Sequence, residues 1–179
     1  ATYDNNKPYH LIEAKTDAEN LFGGADQKVV YSIFDNIIEL SDDEKILSIE
    51  YGCDYKRKKM HYDNESGYVS KVYVGDCEFV DNNGVMSRLT YIKGPLGVFA
   101  VSVIDDEGNS SINYIHKDNL DSWNLITDEY GDVLQEMSFD AWGNMRNPDT
   151  WMIEPDNKIL MYDRGFTGHE HLLDFGLIN

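Results

Sequence analysis

The chain has 179 residues, enough for one domain with a sizeable core. Its 33 Asp and Glu residues outnumber 15 Lys and Arg residues, and the formal charge of -18 argues against a partner bound through nucleic-acid phosphates. The longest apolar run, from Pro95 to Ile104, is too short for a membrane span and is interrupted by Ser102.

Residues 1–27 are predicted to form a loop-rich N-terminal segment. Pro8 and Gly23 belong to the turn-forming residues that interrupt it, and only residues 9–12 have the apolar pattern of a short strand. Residues 17–21 are long enough for a single helical turn. This segment is therefore expected to contribute little regular structure.

Residues 28–146 are predicted to be a series of antiparallel β-hairpins. Short runs of β-branched and aromatic residues alternate with polar residues and are separated by turn residues. The strands predicted most clearly are residues 28–34, 37–40, 46–51, 56–62, 68–74, 78–80, 85–92, 98–104, 122–127 and 133–139. No apolar pattern with a 3.6-residue period is long enough to predict a helix. The predicted fold class is all-β.

Four Asp-x-x-Gly sequences mark turns between the predicted strands. They begin at Asp81, Asp105, Asp128 and Asp140, at intervals of 24, 23 and 12 residues. Asp at the first turn position can accept hydrogen bonds from backbone N–H groups, and Gly at the fourth can adopt the left-handed conformation of a type I turn with a G1 bulge. We therefore predict that the four glycines, including Gly131, have positive φ.

The composition of the strands indicates which faces of the sheet are covered. Residues 98–104 are apolar at both alternating sets of positions, which is typical of a strand covered on both sides. Asn113 and Glu136 instead lie among apolar neighbours and are predicted to be solvent-facing positions of one-sided strands. A sheet that mixes these strand types is predicted to be curved and open.

Residues 147–179 are predicted to be a loop followed by the start of a C-terminal core segment. Turn-forming residues at 147–150 and 155–157 break the hairpin rhythm. Strand-like sequence resumes at 159–162 and near 175–178. No change in composition divides the chain into two domains.

The sequence from Tyr114 to Asn144 resembles the core of bacterial Rhs or YD-repeat proteins. It reads Tyr-Ile-His-Lys-Asp-Asn-Leu-Asp-Ser and then Thr-Asp-Glu-Tyr-Gly, which is similar to the motif that marks this family. Residues 163–170 and 175–179 resemble the segment that leads into the C-terminal end of that core. Two positions differ from the family pattern, since Asn119 stands where histidine is usual and Asp121 where glycine is usual.

The resemblance implies a structural role. Proteins of this family wind β-hairpins into a hollow shell that carries a C-terminal toxin or effector for delivery to another cell. It implies a bacterial, secreted or cell-surface location, with the neighbouring repeats and C-terminal cargo of the same polypeptide as partners. The family's self-cleaving motif, an Asp-Pro pair after an arginine-rich strand, does not occur here, so no catalytic residue is implied. Because the chain starts with Ala1 and stops at Asn179 within the resembling segment, we interpret it as a piece of a longer protein.

The residues themselves contain no motif that predicts an enzyme or a cofactor. In His169-Glu170-His171 the two imidazoles are spaced to share one face of a strand, but no third metal ligand is evident and we expect no metal site. Asp105-Asp106-Glu107 and Asn109 lack the ligand spacing of a calcium loop. The sequence contains no nucleophile elbow and no glycine-rich phosphate loop. The chain is therefore predicted to be non-catalytic.

Two smaller groups of residues have simple interpretations. Cys53 and Cys77 are 24 residues apart, about one hairpin interval, so a disulfide is conceivable, but two cysteines form no framework and free thiols are expected. Arg57, Lys58 and Lys59 form the only basic cluster, which we interpret as a solvent-facing strand beside acidic neighbours rather than an anion site.

The aromatic residues leave a second function open. Trp123, Trp142 and Trp151 are interpreted as exposed side chains that could stack on sugar rings, so a surface carbohydrate-binding module is the alternative function. Packing in the core and between strands is the favoured explanation for these residues. Open sheet edges also predict that the isolated chain self-associates, because an unpaired edge can pair with a strand of another copy.

Overall fold

The structure is a computed structural model that describes most of the hairpin region. The described residues are 2–3, 6–7, 11–14, 27–42, 44–153 and 160–178. The predicted helical turn at 17–21, most of the loop-rich N-terminal segment and the predicted turn at 155–157 lie outside them. The chain divides into an N-terminal unit, residues 1–89 with 105–107, and a C-terminal unit, residues 90–104 with 108–179.

The described residues form an all-β structure with an open antiparallel main sheet, which confirms the predicted fold class. The strands of this sheet lie in the same order in space as in the sequence. They are β1 (Thr2–Tyr3), β2 (Leu11–Ala14), β3 (Gln27–Tyr31), β4 (Ile37–Ser41), β5 (Lys45–Tyr51), β6 (Arg57–Asn64), β7 (Gly67–Val74), β8 (Cys77–Asn82), β9 (Val85–Gly94), β10 (Gly97–Ile104), β11 (Ser110–Lys117), β12 (Trp123–Thr127) and β13 (Val133–Glu136).

Short elements follow the main sheet. β14 (Ser138–Phe139) pairs with β15 (Met145–Arg146), and β16 (His171–Leu172) pairs with β17 (Leu177–Ile178). Two three-residue 3₁₀ turns, at 166–168 and 173–175, are the helical elements among the described residues, and neither approaches the length needed to cross a membrane. The strand predicted at 159–162 is wrong for the described part of that range, which contains a turn.

Five turns in the described part of the chain share one hydrogen-bond pattern. In each turn the N–H of the first residue donates to the C=O of the fifth, and the N–H of the fourth donates to the C=O of the first. The first residues are Ser32, Gly52, Asp118, Asp128 and Asp140. The strand register shifts beside the first four turns, as a bulge requires. The geometry is that of a type I turn with a G1 bulge, which the sequence predicts at two of these five sites, Asp128 and Asp140.

The fourth residue of all five turns is left-handed, but only two of these residues are glycine. Gly131 and Gly143 have φ of +88° and +86°, as the sequence predicts. Asp35, Tyr55 and Asp121 have φ between +58° and +66° at the equivalent position. The turn at Asp121 thus keeps its geometry although the residue departs from the glycine usual in the resembling family. Asp tolerates this conformation better than most non-glycine residues, since its side chain can hydrogen-bond locally.

The turn at Asp81, one of the other two Asp-x-x-Gly sites, differs from this pattern. Gly84 and Gly108 have positive φ, at +89° and +85°, as predicted. Asn83 also has a positive φ of +53°, so Asn83 and Gly84 form a two-residue connection between β8 and β9 of the type I′ kind. The bulged turn predicted to begin at Asp81 is therefore wrong, because two adjacent left-handed residues already close the hairpin.

The N-terminal unit buries one face of its strands. Leu40 pairs with Leu47 across β4 and β5, and both are 1% exposed. Met60 on β6 pairs with Lys71 on β7, so Lys71 lies in the same buried face. The Nζ atom of Lys71 is 4.0 Å from Oε2 of Glu78 on β8, and the side chains of both residues are 4% exposed. An ion pair is thus enclosed among apolar side chains.

The C-terminal unit contains a strand that is covered on both sides. Ala100 and Val101 are adjacent in β10, point to opposite faces and are both 0% exposed. This observation confirms the prediction of a doubly covered strand at these two positions. Val101 pairs with Asn113 on β11, and Ile115 pairs with Ile126 on β12, so one face of three strands forms a continuous packed surface.

Candidate functional site

The packed face of the C-terminal unit is covered by the end of the chain. We call residues 160–178 the C-terminal cap. Two hydrogen bonds join the cap to the start of β12: the N–H of Trp123 donates to the C=O of Gly165 over 2.9 Å, and the N–H of Thr167 donates to Oγ of Ser122 over 3.1 Å. Ser122 and Trp123 are both 2% exposed. The cap is therefore joined to two buried residues of the sheet, once through a backbone N–H and once through a side-chain hydroxyl.

Trp123 is the centre of an aromatic cluster beneath the cap. Its ring centroid is 6.5 Å from that of Tyr162 in a near edge-to-face arrangement and 6.4 Å from that of Tyr91 on β9. The Arg164 guanidinium lies over the Tyr91 ring, 4.9 Å from its centroid. Aromatic pairs of this kind contribute about 0.5 to 1.5 kcal/mol beyond the area they bury. For Trp123 the favoured explanation, packing, is confirmed, and the alternative of an exposed ring that stacks on sugars is wrong, because the cap encloses its ring.

A polar contact accompanies these aromatic contacts. Nδ2 of Asn113 donates to the hydroxyl oxygen of Tyr162, and the two residues are 6% and 6% exposed. Burial raises the pKa of Tyr162, while the hydrogen bond from Asn113 acts in the opposite direction. The prediction that Asn113 faces solvent is wrong, because Tyr162 supplies the partner that lets its amide be buried. Glu136 is exposed, as predicted.

The structure separates the two histidines that were candidate metal ligands. His169 is exposed, whereas His171 is 4% exposed and lies in β16. Nε2 of His171 accepts a hydrogen bond from the N–H of Phe166 over 2.9 Å, so this nitrogen is already engaged. Burial lowers the pKa of His171 to about 4, with Asp163 raising it and His169 lowering it further. Among the described residues no group of three or more His, Cys, Asp or Glu side chains is placed to hold a metal ion.

A second aromatic cluster surrounds Gly165 in the cap. The Phe139 ring on β14 lies 6.1 Å from the Phe166 ring and 5.5 Å from the His171 imidazole, measured between centroids. A Cβ atom on Gly165 would lie 2.4 Å from Cζ of Phe139 and 3.3 Å from Nε2 of His171. Because that space is already filled, glycine is required at position 165 by close packing.

Three polar side chains hold the cap in place through hydrogen bonds. Tyr162 accepts from Asn113, Ser122 accepts from the Thr167 amide, and His171 accepts from the Phe166 amide. Each of these oxygen or nitrogen atoms is therefore engaged in holding the cap in place. This arrangement is typical of a structural junction.

Two of the three tryptophans are exposed, as the sequence predicts. Trp142 is 82% exposed in the turn between β14 and β15, and Trp151 is 65% exposed. The Arg146 guanidinium lies over the Trp151 ring, 4.3 Å from its centroid. Trp151 also has a φ of +63°, an uncommon conformation for a bulky residue. Aromatic surface is thus available near β15.

The remaining candidate residues lie apart from the cap. Asp106 and Glu107 are exposed in the connection between β10 and β11. In the basic cluster, Lys58 forms an ion pair with Asp54 at 2.9 Å, and Lys59 lies 3.9 Å from Glu50, as expected for a strand beside acidic neighbours. Cys53 is an exposed free thiol, so the conceivable disulfide with Cys77 is not formed.

The sequence does not predict the contacts of several residues that join the cap to the sheet. Tyr91 and Ser122 lie in ordinary strand and turn sequence and carry no signal of a partner far along the chain. Arg164 and Gly165 lie within the segment that resembles the Rhs family. The resemblance and the strand-like sequence at 159–162 and 175–178 indicate a defined structure for the cap, but neither indicates which residues it contacts.

Comparisons with known proteins support the fold alone. No family model matches the chain, and no curated protein matches it. Solved chains from TcdB2-TccC3-Cdc42 and from TcdB2-TccC3 each match with a TM-score of 0.65 and 16% identity over 88% of this chain and 9% of that chain. A chain of the Photorhabdus luminescens Tc holotoxin pore matches with a TM-score of 0.64 and 15% identity over 88% of this chain and 8% of that chain. The chain thus spans less than a tenth of those chains.

Proposed function

We propose that this chain is a non-catalytic structural segment of an Rhs or YD-repeat shell that encloses and delivers a C-terminal toxin or effector. The observation that carries the proposal is the order of the strands, which follow one another through an open antiparallel sheet. The match of 88% of this chain to a short stretch of TcdB2-TccC3 chains is consistent with an Rhs-like fold. Serial hairpins suit a shell, since further hairpins can be added without crossover connections.

The proposed partners are other parts of the same polypeptide. Neighbouring repeats would extend the sheet, and the C-terminal cargo would lie within the shell that they form. We place the complete protein outside the producing cell or on its surface, by analogy with the Photorhabdus luminescens Tc holotoxin pore. The charge of -18 supports the exclusion of nucleic acid as a partner.

Limited proteolysis of the natural polypeptide that contains this segment tests the proposal. An epitope placed at its C-terminus reports whether the cargo survives digestion. We expect the cargo to resist protease in the native protein and to be digested once Trp123→Ala weakens the shell. The matched control is Trp142→Ala, which removes an exposed ring and should leave the cargo protected. Rapid digestion of the cargo in the native protein, at the same rate as in the Trp123→Ala protein, would exclude an enclosing shell.

Self-association of the isolated chain is a separate part of this proposal. β13 is the last strand of the main sheet, and its residues Val133 and Leu134 are 61% and 42% exposed. An exposed edge strand with apolar side chains favours pairing with another copy. Light scattering at tens of micromolar should detect dimers or larger species, and Val133→Lys should reduce them. A purely monomeric native chain would contradict the edge-pairing proposal.

A carbohydrate-binding surface module is the second candidate function. The observation that favours it is the exposure of Trp142 and Trp151, since an accessible indole can stack on a sugar ring. A glycan array would test it with the native chain and the Trp142→Ala and Trp151→Ala variants. Binding that is lost in both variants supports this function, whereas no binding to any glycan removes it.

A further inference from the structure

His171 holds the cap through an atom that can be protonated. Its Nε2 accepts the Phe166 N–H over 2.9 Å, so the neutral ring must carry its hydrogen on Nδ1. The backbone N–H of His171 donates to the backbone C=O of Asp163 over 2.7 Å, which closes the loop that contains Phe166. At 4% exposure the side chain has almost no access to water. The hydrogen bond therefore depends on the neutral form of His171.

Protonation would reverse the role of Nε2. A charged imidazole has two N–H donors and no acceptor, so its Nε2–H would face the Phe166 N–H, which is also a donor. The Phe139 ring from β14 and the facing Ile178 from β17 carry no charge that could compensate. Within the loop the Asp163 carboxylate favours the charged form and His169 opposes it. Glu170 is the charged residue next to His171 in the sequence, its backbone forms an isolated bridge with that of Arg164, and Asp174 follows three residues after His171.

We propose that His171 is an acid-sensitive anchor, whose protonation releases the C-terminal cap from the sheet in the C-terminal unit. Release would break the contact between Nε2 and Phe166 and open the space around Gly165. It would also expose Trp123, whose backbone is bonded to Gly165. This proposal concerns the cap alone and does not depend on what the complete protein encloses.

The direction of the pH dependence follows from proton binding. Burial lowers the pKa of His171 in the closed cap from 6.5 to about 4, whereas the exposed ring in the released cap regains its ordinary value. The released form therefore binds the proton more tightly. The closed cap is fully favoured above pH 6.5 and loses stability as the pH falls from there to about 4. Over this window the ratio of released to closed cap should rise by up to about 300-fold.

Hydrogen exchange with the 179-residue chain measures this release directly. Peptides from residues 160–176 are followed at pH 7, 5.5 and 4.5 after correction for the intrinsic exchange rate at each pH. Peptides from β5 to β7 serve as the internal reference for general acid unfolding. We expect protection of the cap, including the Phe166 amide, to fall by tens of fold relative to the reference between pH 7 and pH 4.5. An unchanged ratio between cap and reference would overturn the proposal.

A pair of histidine variants assigns the effect to one ring. His171→Gln keeps an acceptor near Nε2 that cannot be protonated, so its cap should stay protected at low pH. His169→Gln removes the exposed neighbour and should keep the native pH response. NMR titration of the native chain covers the case in which His171→Gln does not fold, and it should show His171 titrating well below 6.5. Equal pH responses in both variants, or a His171 that titrates near 6.5, would overturn the proposal.

Discussion

The two units enclose polar groups in different ways. In the N-terminal unit the buried polar pair is ionic, and Lys71 and Glu78 come from adjacent strands of one hairpin. In the C-terminal unit one buried pair is neutral, and its members Asn113 and Tyr162 are 49 residues apart. The ionic pair is assembled by local hairpin pairing, whereas the neutral pair forms only when the cap returns to the sheet. The difference shows that this chain uses local contacts to build strands and distant contacts to cover them.

The largest effect on stability is expected when the aromatic centre of the cap is removed. Trp123→Ala should lower the free energy of unfolding of the C-terminal unit by about 3 to 5 kcal/mol, since it leaves a cavity beneath Tyr162. Urea denaturation followed by circular dichroism measures the change. Trp142→Ala is the control and should change it by no more than about 0.5 kcal/mol, because that ring is 82% exposed. Equal losses in the two variants would show that the cap does not enclose Trp123.

The next effect tests the ion pair of the N-terminal unit. Lys71→Met should cost about 3 kcal/mol at neutral pH, because it removes the positive charge of Lys71 from beside the buried Glu78 carboxylate. The double variant Lys71→Met with Glu78→Gln should recover most of this loss, since no buried charge remains. Urea denaturation of the single and double variants provides the measurement. If the double variant is as unstable as the single one, volume rather than charge controls this position.

A smaller effect is expected when the neutral pair is broken. Tyr162→Phe removes the hydroxyl that accepts from Asn113 and should cost about 1 to 2 kcal/mol, because the buried amide loses that partner. Tyr130→Phe is the matched control, since Tyr130 is 83% exposed. Thermal unfolding should show a clear decrease for the first variant and almost none for the second. A Tyr162→Phe protein of native stability would mean that water replaces the lost hydroxyl.

The smallest effect concerns the turns that build the hairpins. Gly131→Ala should cost about 1 kcal/mol through backbone strain alone, because its φ is +88° and nothing lies within 4 Å of the added Cβ. Asp121→Gly makes the opposite change at the equivalent turn position. It should be neutral or slightly stabilising, because relief of strain offsets the loss of the exposed ion pair with Lys117. Denaturation midpoints that move in the same direction for both variants would refute the shared turn geometry.

The sequence predicts the hairpins because each hairpin depends on a few residues that are close together in the chain. Strand alternation and the Asp-x-x-Gly turns at Asp128 and Asp140 predict conformations set by a few neighbouring residues. The bulged turns ending at Tyr55 and Asp121 were not identified in this way, since their fourth residue is not glycine. In both of these turns the flanking strands hold the backbone in a conformation that the residue itself disfavours.

The sequence predicts only part of the candidate site, because the residues of the site come from distant parts of the chain. Asn113 looks like a solvent-facing residue in an alternating strand, and Trp123 looks like any strand aromatic. Their burial depends on Tyr162 and Gly165, which local periodicity cannot connect to them. The sequence by itself determined the all-β class, the hairpin order and the left-handed glycines. Tertiary structure alone decided which polar and aromatic side chains are enclosed, because enclosure requires a second segment to supply hydrogen-bond partners and exclude water.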